Sequence, residues 1–174
     1  MSNPPPAAAT MNQAFAITMR SEVGTSYVLG GDDATGTDCS GSVILALARM
    51  GYTVPDVTAA EMASGKVPWI TLGAKADSKK QGEAGTLNFY TFGTGAVEHV
   101  NVGVGQLPGE AMPQVVDATQ GAWMTARNGR PGQSVPAAPA QMNQTYSPYS
   151  SNSAPDEQAQ INWAVLDAEY RTKK

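Results

Sequence analysis

The sequence predicts an α+β fold in which helices come first and pack on one face of an antiparallel sheet. Three observations carry that expectation. Apolar residues recur at helical spacing in the first third of the chain. The period changes from 3.6 to 2 near Leu87, and short alternating runs follow. Glycine and proline punctuate both parts into short elements.

Residues 1–9 are rich in proline and alanine and read as a flexible arm, leaving 10–174 as a single domain. Thr10 is placed to cap a first helix whose apolar side includes Phe15 and Met19, with Gly24 ending it. Tyr27-Val28-Leu29 is a short extended piece running into Gly30-Gly31, and residues 32–37 read as a loop. A second helix follows from Cys39, with Val43, Ile44, Leu47 and Met50 at helical spacing and Gly51 closing it. Thr58-Ala-Ala-Glu61 is a capping-box pattern for a short helix ending near Gly65. The stretch 66–86 carries mixed charge and no clear period.

Alternation then predicts strands from Leu87, over Val97–Val104 and over Gln114–Thr119, with a fourth at 122–126. Between Asn128 and Pro155 the composition turns to Pro, Gly, Ser, Gln and Asn, which reads as a long loop reaching to about residue 157. Ile161–Leu166 reads as a last strand, with a short helix as the rival.

Composition narrows the function classes. A net charge of −4 and a pI near 4.9 argue against nucleic-acid partners and give no reason to expect an anionic membrane surface. No apolar run reaches the ~18 residues that a transmembrane helix needs. MSNPPPAAAT has neither a basic n-region nor an apolar h-region, so no secretory signal is visible. With one cysteine and one histidine, an intramolecular disulfide is excluded, and so is a zinc site of about three or four Cys or His ligands. No metal or organic cofactor is expected.

Chemistry concentrates on those two residues. A thiolate is favoured at a helix start, where free N–H groups and the helix dipole oppose its charge. Cys39 stands there, between Asp38 and Ser40, which are helix-start residues and poor core neighbours. A lone cysteine is otherwise a small buried hydrophobe, so this polar setting is what marks it. His99 is the one imidazole available as a base for the thiol. Alternation sets it, with Asn101 and Gly103, opposite Val100 and Val102. If the valines fill one layer, His99 faces the other, where the cysteine helix is free to lie. Asp117, a carboxylate inside a strand beside the histidine strand, is a candidate to orient that base.

These residues resemble the NlpC (p-sixty) family of papain-like cysteine peptidases. The match runs through Tyr27-Val-Leu-Gly30-Gly31, then Gly36-Thr-Asp38-Cys39-Ser40-Gly41-Ser-Val43, then His99-Val-Asn-Val-Gly103-Val. Glu98 and Thr86 depart from it, standing where the family carries Gly before the histidine and Asp before the preceding strand. The resemblance implies a papain-like fold with the cysteine helix packed on a central antiparallel sheet. It implies Cys39 as nucleophile, His99 as base and Asp117 as third polar residue. Tyr27 would help the oxyanion or the substrate carbonyl, and Asp38 and Ser40 would line the substrate subsite.

The implied activity is hydrolysis of amide bonds in peptidoglycan stem peptides, at the D-γ-glutamyl–diamino acid bond. A Cys-His amidase or acyltransferase and a catalytically inactive wall-binding domain are the alternatives. A monomer acting at the cell wall is expected, brought there by a phage or a secretion system or by a leader missing from this sequence, with any delivery or inhibitor partner open.

Overall fold

The computed structural model describes residues 7–91, 95–110, 112–119, 141–146 and 154–174. Helix α1 spans Ala8–Ser21. Its start corrects two expectations: Ala8 and Ala9 belong to the helix rather than to an arm, and Ala7, not Thr10, is the N-cap, with no side-chain capping bond. High alanine propensity extends the helix past the available cap. The chain leaves α1 at Glu22 and turns at Gly24, whose φ of +98° suits glycine.

The expected 32–37 loop is a small hairpin of β1 (Asp32–Asp33) and β2 (Gly36–Thr37). Helix α2 spans Cys39–Arg49, starting at the cysteine as the pattern predicts. Helix α3 (Ala59–Met62) carries the predicted capping box between Thr58 and Glu61. The unassigned stretch supplies strand β3 (Ile70–Leu72) and a 3-10 turn at Ser78–Lys80.

Strands β4 (Leu87–Tyr90), β5 (His99–Gly105) and β6 (Gln114–Thr119) form the meander that alternation predicts. Strand β7 (Gln141–Tyr146) lies inside the expected long loop and pairs with β6 at six positions. Its sequence, QMNQTY, lacks an apolar alternation, so its backbone pairing has no hydrophobic signature. The strand expected at 122–126 lies outside the described residues.

At the C-terminus the expected Ile161–Leu166 strand resolves into both rivals. Strand β8 (Glu157–Ile161) ends at Asn162, whose side chain accepts the Val165 N–H and opens helix α4 (Trp163–Glu169). The sheet order is β3-β8-β4-β5-β6-β7, antiparallel throughout.

Helices α1 and α2 pack against β5, and α2 also reaches β6. Phe15 and Met19 of α1 and Val43, Ile44 and Leu47 of α2 share one core with Val100, Val102, Val104 and Val116. Each such side chain contributes roughly 1.5–3 kcal/mol on burial. The valines are therefore the layer turned to the helices. This corrects the expectation that the cysteine helix lies on the layer opposite the valines; His99 itself opens β5, in register with Tyr90 of β4.

One titratable group inside this packing is costly. The side chain of Glu22, at the end of α1, is fully buried, and its oxygens have no hydrogen-bond partner among the described residues. Burial pushes its carboxyl up to about 8, and Arg49, 3.9 Å away, only partly opposes the shift. The folded state thus holds a proton that the unfolded chain releases above pH 4.5. The contribution of Glu22 to stability is fully present at and below that pH, falls as pH rises to about 8, and is level beyond it. Glu22→Gln is expected to flatten this slope in melts taken at pH 5 and pH 8. Parallel melting curves for the two proteins would refute the assignment.

Candidate active site

The site is built where the Gly24–Thr37 segment folds back over the start of α2. Tyr27 bridges to Thr37, the Val28 N–H bonds the Thr37 carbonyl at 3.1 Å, and the Asp38 N–H bonds the Gly31 carbonyl at 3.0 Å. Asp38 is the N-cap of α2. One of its oxygens accepts the Gly41 N–H at 2.8 Å and the Ser40 hydroxyl at 3.2 Å; the other accepts the Gly30 N–H at 2.8 Å. A single carboxylate therefore ends the loop and begins the helix. That arrangement leaves Cys39 at the first helical position, half-buried against the core.

Three glycines make the fold-back close. A Cβ on Gly41 would overlap the Gly31 carbonyl, one on Gly31 the Gly36 carbonyl, and one on Gly36 the Val28 side chain. The glycine after Ser40 is thus a packing requirement.

Tyr27 completes this cluster. Burial first, then the negative charges available to Cys39 and Asp38, raise its hydroxyl above the ordinary 10.0, so at neutral pH it remains an O–H donor. Burial first, then the charges of Asp32, Asp38 and Glu61, raise the Asp56 carboxyl above its ordinary range.

The structure thus brings Tyr27, Asp38, Cys39 and Ser40 together. It turns Asp38 and Ser40 onto each other and onto the backbone, and Ser40 is buried. His99 is the first residue of β5, the strand on which α2 packs, and Asp117 lies in the neighbouring β6, in register with Asn143. Among the described residues no group of three or more His, Cys, Asp or Glu side chains could hold a metal ion.

The sequence reading missed a buried polar ladder on the His99 face. Asn88 and Asn101 are register partners, joined by a 2.9 Å hydrogen bond. Amides at alternating positions of apolar strands were the available signal.

A thiol at the head of a helix, folded under a glycine loop and packed on an antiparallel sheet, defines the class as an α+β protein with a cysteine at a helix start. The chain belongs to the NlpC/P60 family, whose model matches residues 24–127. Among solved structures it is similar to the NlpC/p60 domain of the peptidoglycan hydrolase SagA, with 24% identity, a TM-score of 0.50, and 86% of this chain and 98% of that chain covered. It is also similar to the peptidoglycan hydrolase RipB from Mycobacterium tuberculosis, with 20% identity, a TM-score of 0.50, and 93% and 73% covered. At these identities the likeness is one of fold. No curated protein matches significantly.

Proposed function

We propose that this protein is a cysteine peptidase that hydrolyses amide bonds in bacterial peptidoglycan stem peptides, at the D-γ-glutamyl–diamino acid bond. The observation that carries this is the sole cysteine at the first position of α2, under a loop bearing Tyr27, in a chain of the NlpC/P60 family. The fold shared with two peptidoglycan hydrolases supports the substrate class. The charges of Asp32, Asp38 and Glu61 all act on Asp56, and a field of that sign suits a substrate bearing an ammonium group.

On this reading Cys39 sulfur, its proton taken by His99, attacks the scissile carbonyl carbon and forms a C–S bond. The oxyanion is met by the Cys39 backbone N–H and the Tyr27 hydroxyl. Imidazolium His99 returns its proton to the departing amine as the C–N bond breaks. Water, deprotonated by His99, then attacks the thioester and frees the carboxylate and the thiol. Asp117, one strand away, orients His99, while Asp38 and Ser40 shape the subsite beside the thiol. The helices and the sheet act as one catalytic domain and as a monomer. The place of action is the bacterial wall, as a phage lysin or tail enzyme or as a delivered effector.

The test uses purified muropeptides of known stem sequence, followed by mass spectrometry. New fragments split between the D-γ-glutamyl residue and the diamino acid are expected, and His99→Ala is expected to release none. Cutting at another amide would point to a different amidase, and intact muropeptides to a binding domain; either overturns the proposal. The rate of Cys39 alkylation by iodoacetamide at pH 6 is expected to fall about tenfold in His99→Ala, because the thiol loses its base.

A further inference from the structure

His99 stands at one end of a chain of buried amides that runs across three strands. Tyr90 is its register partner on β4, with ring centroids 6.1 Å apart at 40°. The Tyr90 hydroxyl accepts from Asn101 Nδ2 at 3.3 Å. Asn101 Oδ1 accepts from Asn88 Nδ2 at 2.9 Å, and the same amide nitrogen donates to the Gln81 carbonyl at 2.9 Å. Asn88 Oδ1 accepts from Gln158 Nε2 at 2.8 Å. Gln158 in turn clasps the Asp77 backbone, accepting its N–H at 2.7 Å and donating to its carbonyl at 3.0 Å.

The chain is directional. Both protons of the Asn88 amide and its oxygen are engaged, so turning that group over would set oxygen against oxygen at Gln81 and Asn101. With Asn88 held, Asn101 must present its NH₂ to Tyr90. Asn88 and Asn101 are at most 1% exposed, and Tyr90 and His99 are 1% and 4% exposed.

Burying amides in a sheet centre confers little net stability over apolar residues of similar shape. A fully satisfied network instead selects one arrangement of its members. The member at its end that carries chemistry is the imidazole. We infer that Asn101, acting through Tyr90, is a positioning residue that sets the ring orientation of His99. The role rests on the reading of His99 as the catalytic base.

The test is Tyr90→Phe, which keeps the ring and cuts the ladder from it, beside Asn101→Leu. Because His99 is the only histidine, its ring ¹⁵N signals are unambiguous in the full chain. Tyr90→Phe is expected to fold and to shift the balance of those two signals. On muropeptides its kcat is expected to fall about tenfold with KM unchanged. Asn101→Leu, if it folds, is expected to do the same.

A network that only ties the 3-10 turn to the sheet would lower the melting temperature and leave both the signals and kcat in place. That result in Tyr90→Phe overturns the inference, whatever Asn101→Leu does. The NMR reading needs no substrate. An inactive wild-type protein would therefore refute the peptidase reading, while the signals still decide whether Tyr90 and Asn101 hold the ring.

Discussion

Cys39→Ala is expected to reduce stem-peptide cleavage by at least about a thousand-fold while the protein stays folded. The reaction proposed here forms a bond to sulfur, and no second thiol exists in the chain to replace it. The change removes one atom from a half-buried side chain, so the helix start survives. Its cap is the Asp38 carboxylate on the Gly41 N–H, which does not involve the sulfur. The measurement is fragment release over time by mass spectrometry, with a thermal melt of the same sample. Turnover by the folded alanine variant would sink the peptidase proposal outright.

Gly41→Ala is expected to be the most damaging single-methyl change near the site. The added carbon would overlap the carbonyl of Gly31, a backbone atom that cannot rotate away and that already accepts the Asp38 N–H. Either the loop lifts and loses that bond, or α2 shifts on the sheet. Such overpacking costs about 3 kcal/mol, or roughly 6–12 °C in melting temperature for a chain of this size. Cleavage falls with it, because the same fold-back ties the Tyr27 segment to the start of the Cys39 helix. Gly30→Ala is the control. Its φ is +79° but nothing lies within 4 Å of the added carbon, so about 1 kcal/mol is expected. Equal melting temperatures for the two variants would show that the close approach at Gly41 is not what constrains the loop.

Local signals made much of this structure legible. Helix α2 opens at Cys39 because Asp38 is a strong N-cap, and α3 opens at Thr58 because its capping box is complete. Strands β4 to β6 are readable from alternation against glycine-rich turns. The errors arise where longer-range terms govern. Strand β7 exists through its pairing to β6, and a polar strand at a sheet edge leaves no period to read. Helix α1 begins before Thr10 because propensity outweighs the cap. The C-terminal segment changes from strand to helix at Asn162, inside the stretch Ile161–Leu166 whose local pattern suits either.

The amino-acid sequence by itself determined the chemistry on hand: one thiol, one imidazole, a helix to open at the thiol, and a strand alternation that separates His99 from Val100 and Val102. A period of two says that those residues face opposite ways, but both directions are equally consistent with it. Only the tertiary structure decided that the valines meet α1 and α2, because the helices bury their apolar stripes on whichever sheet face is itself apolar. It also decided why Gly31, Gly36 and Gly41 carry no side chains, and which buried amides stand behind His99. Those are contacts between segments distant in the chain, and no local pattern of residues encodes them.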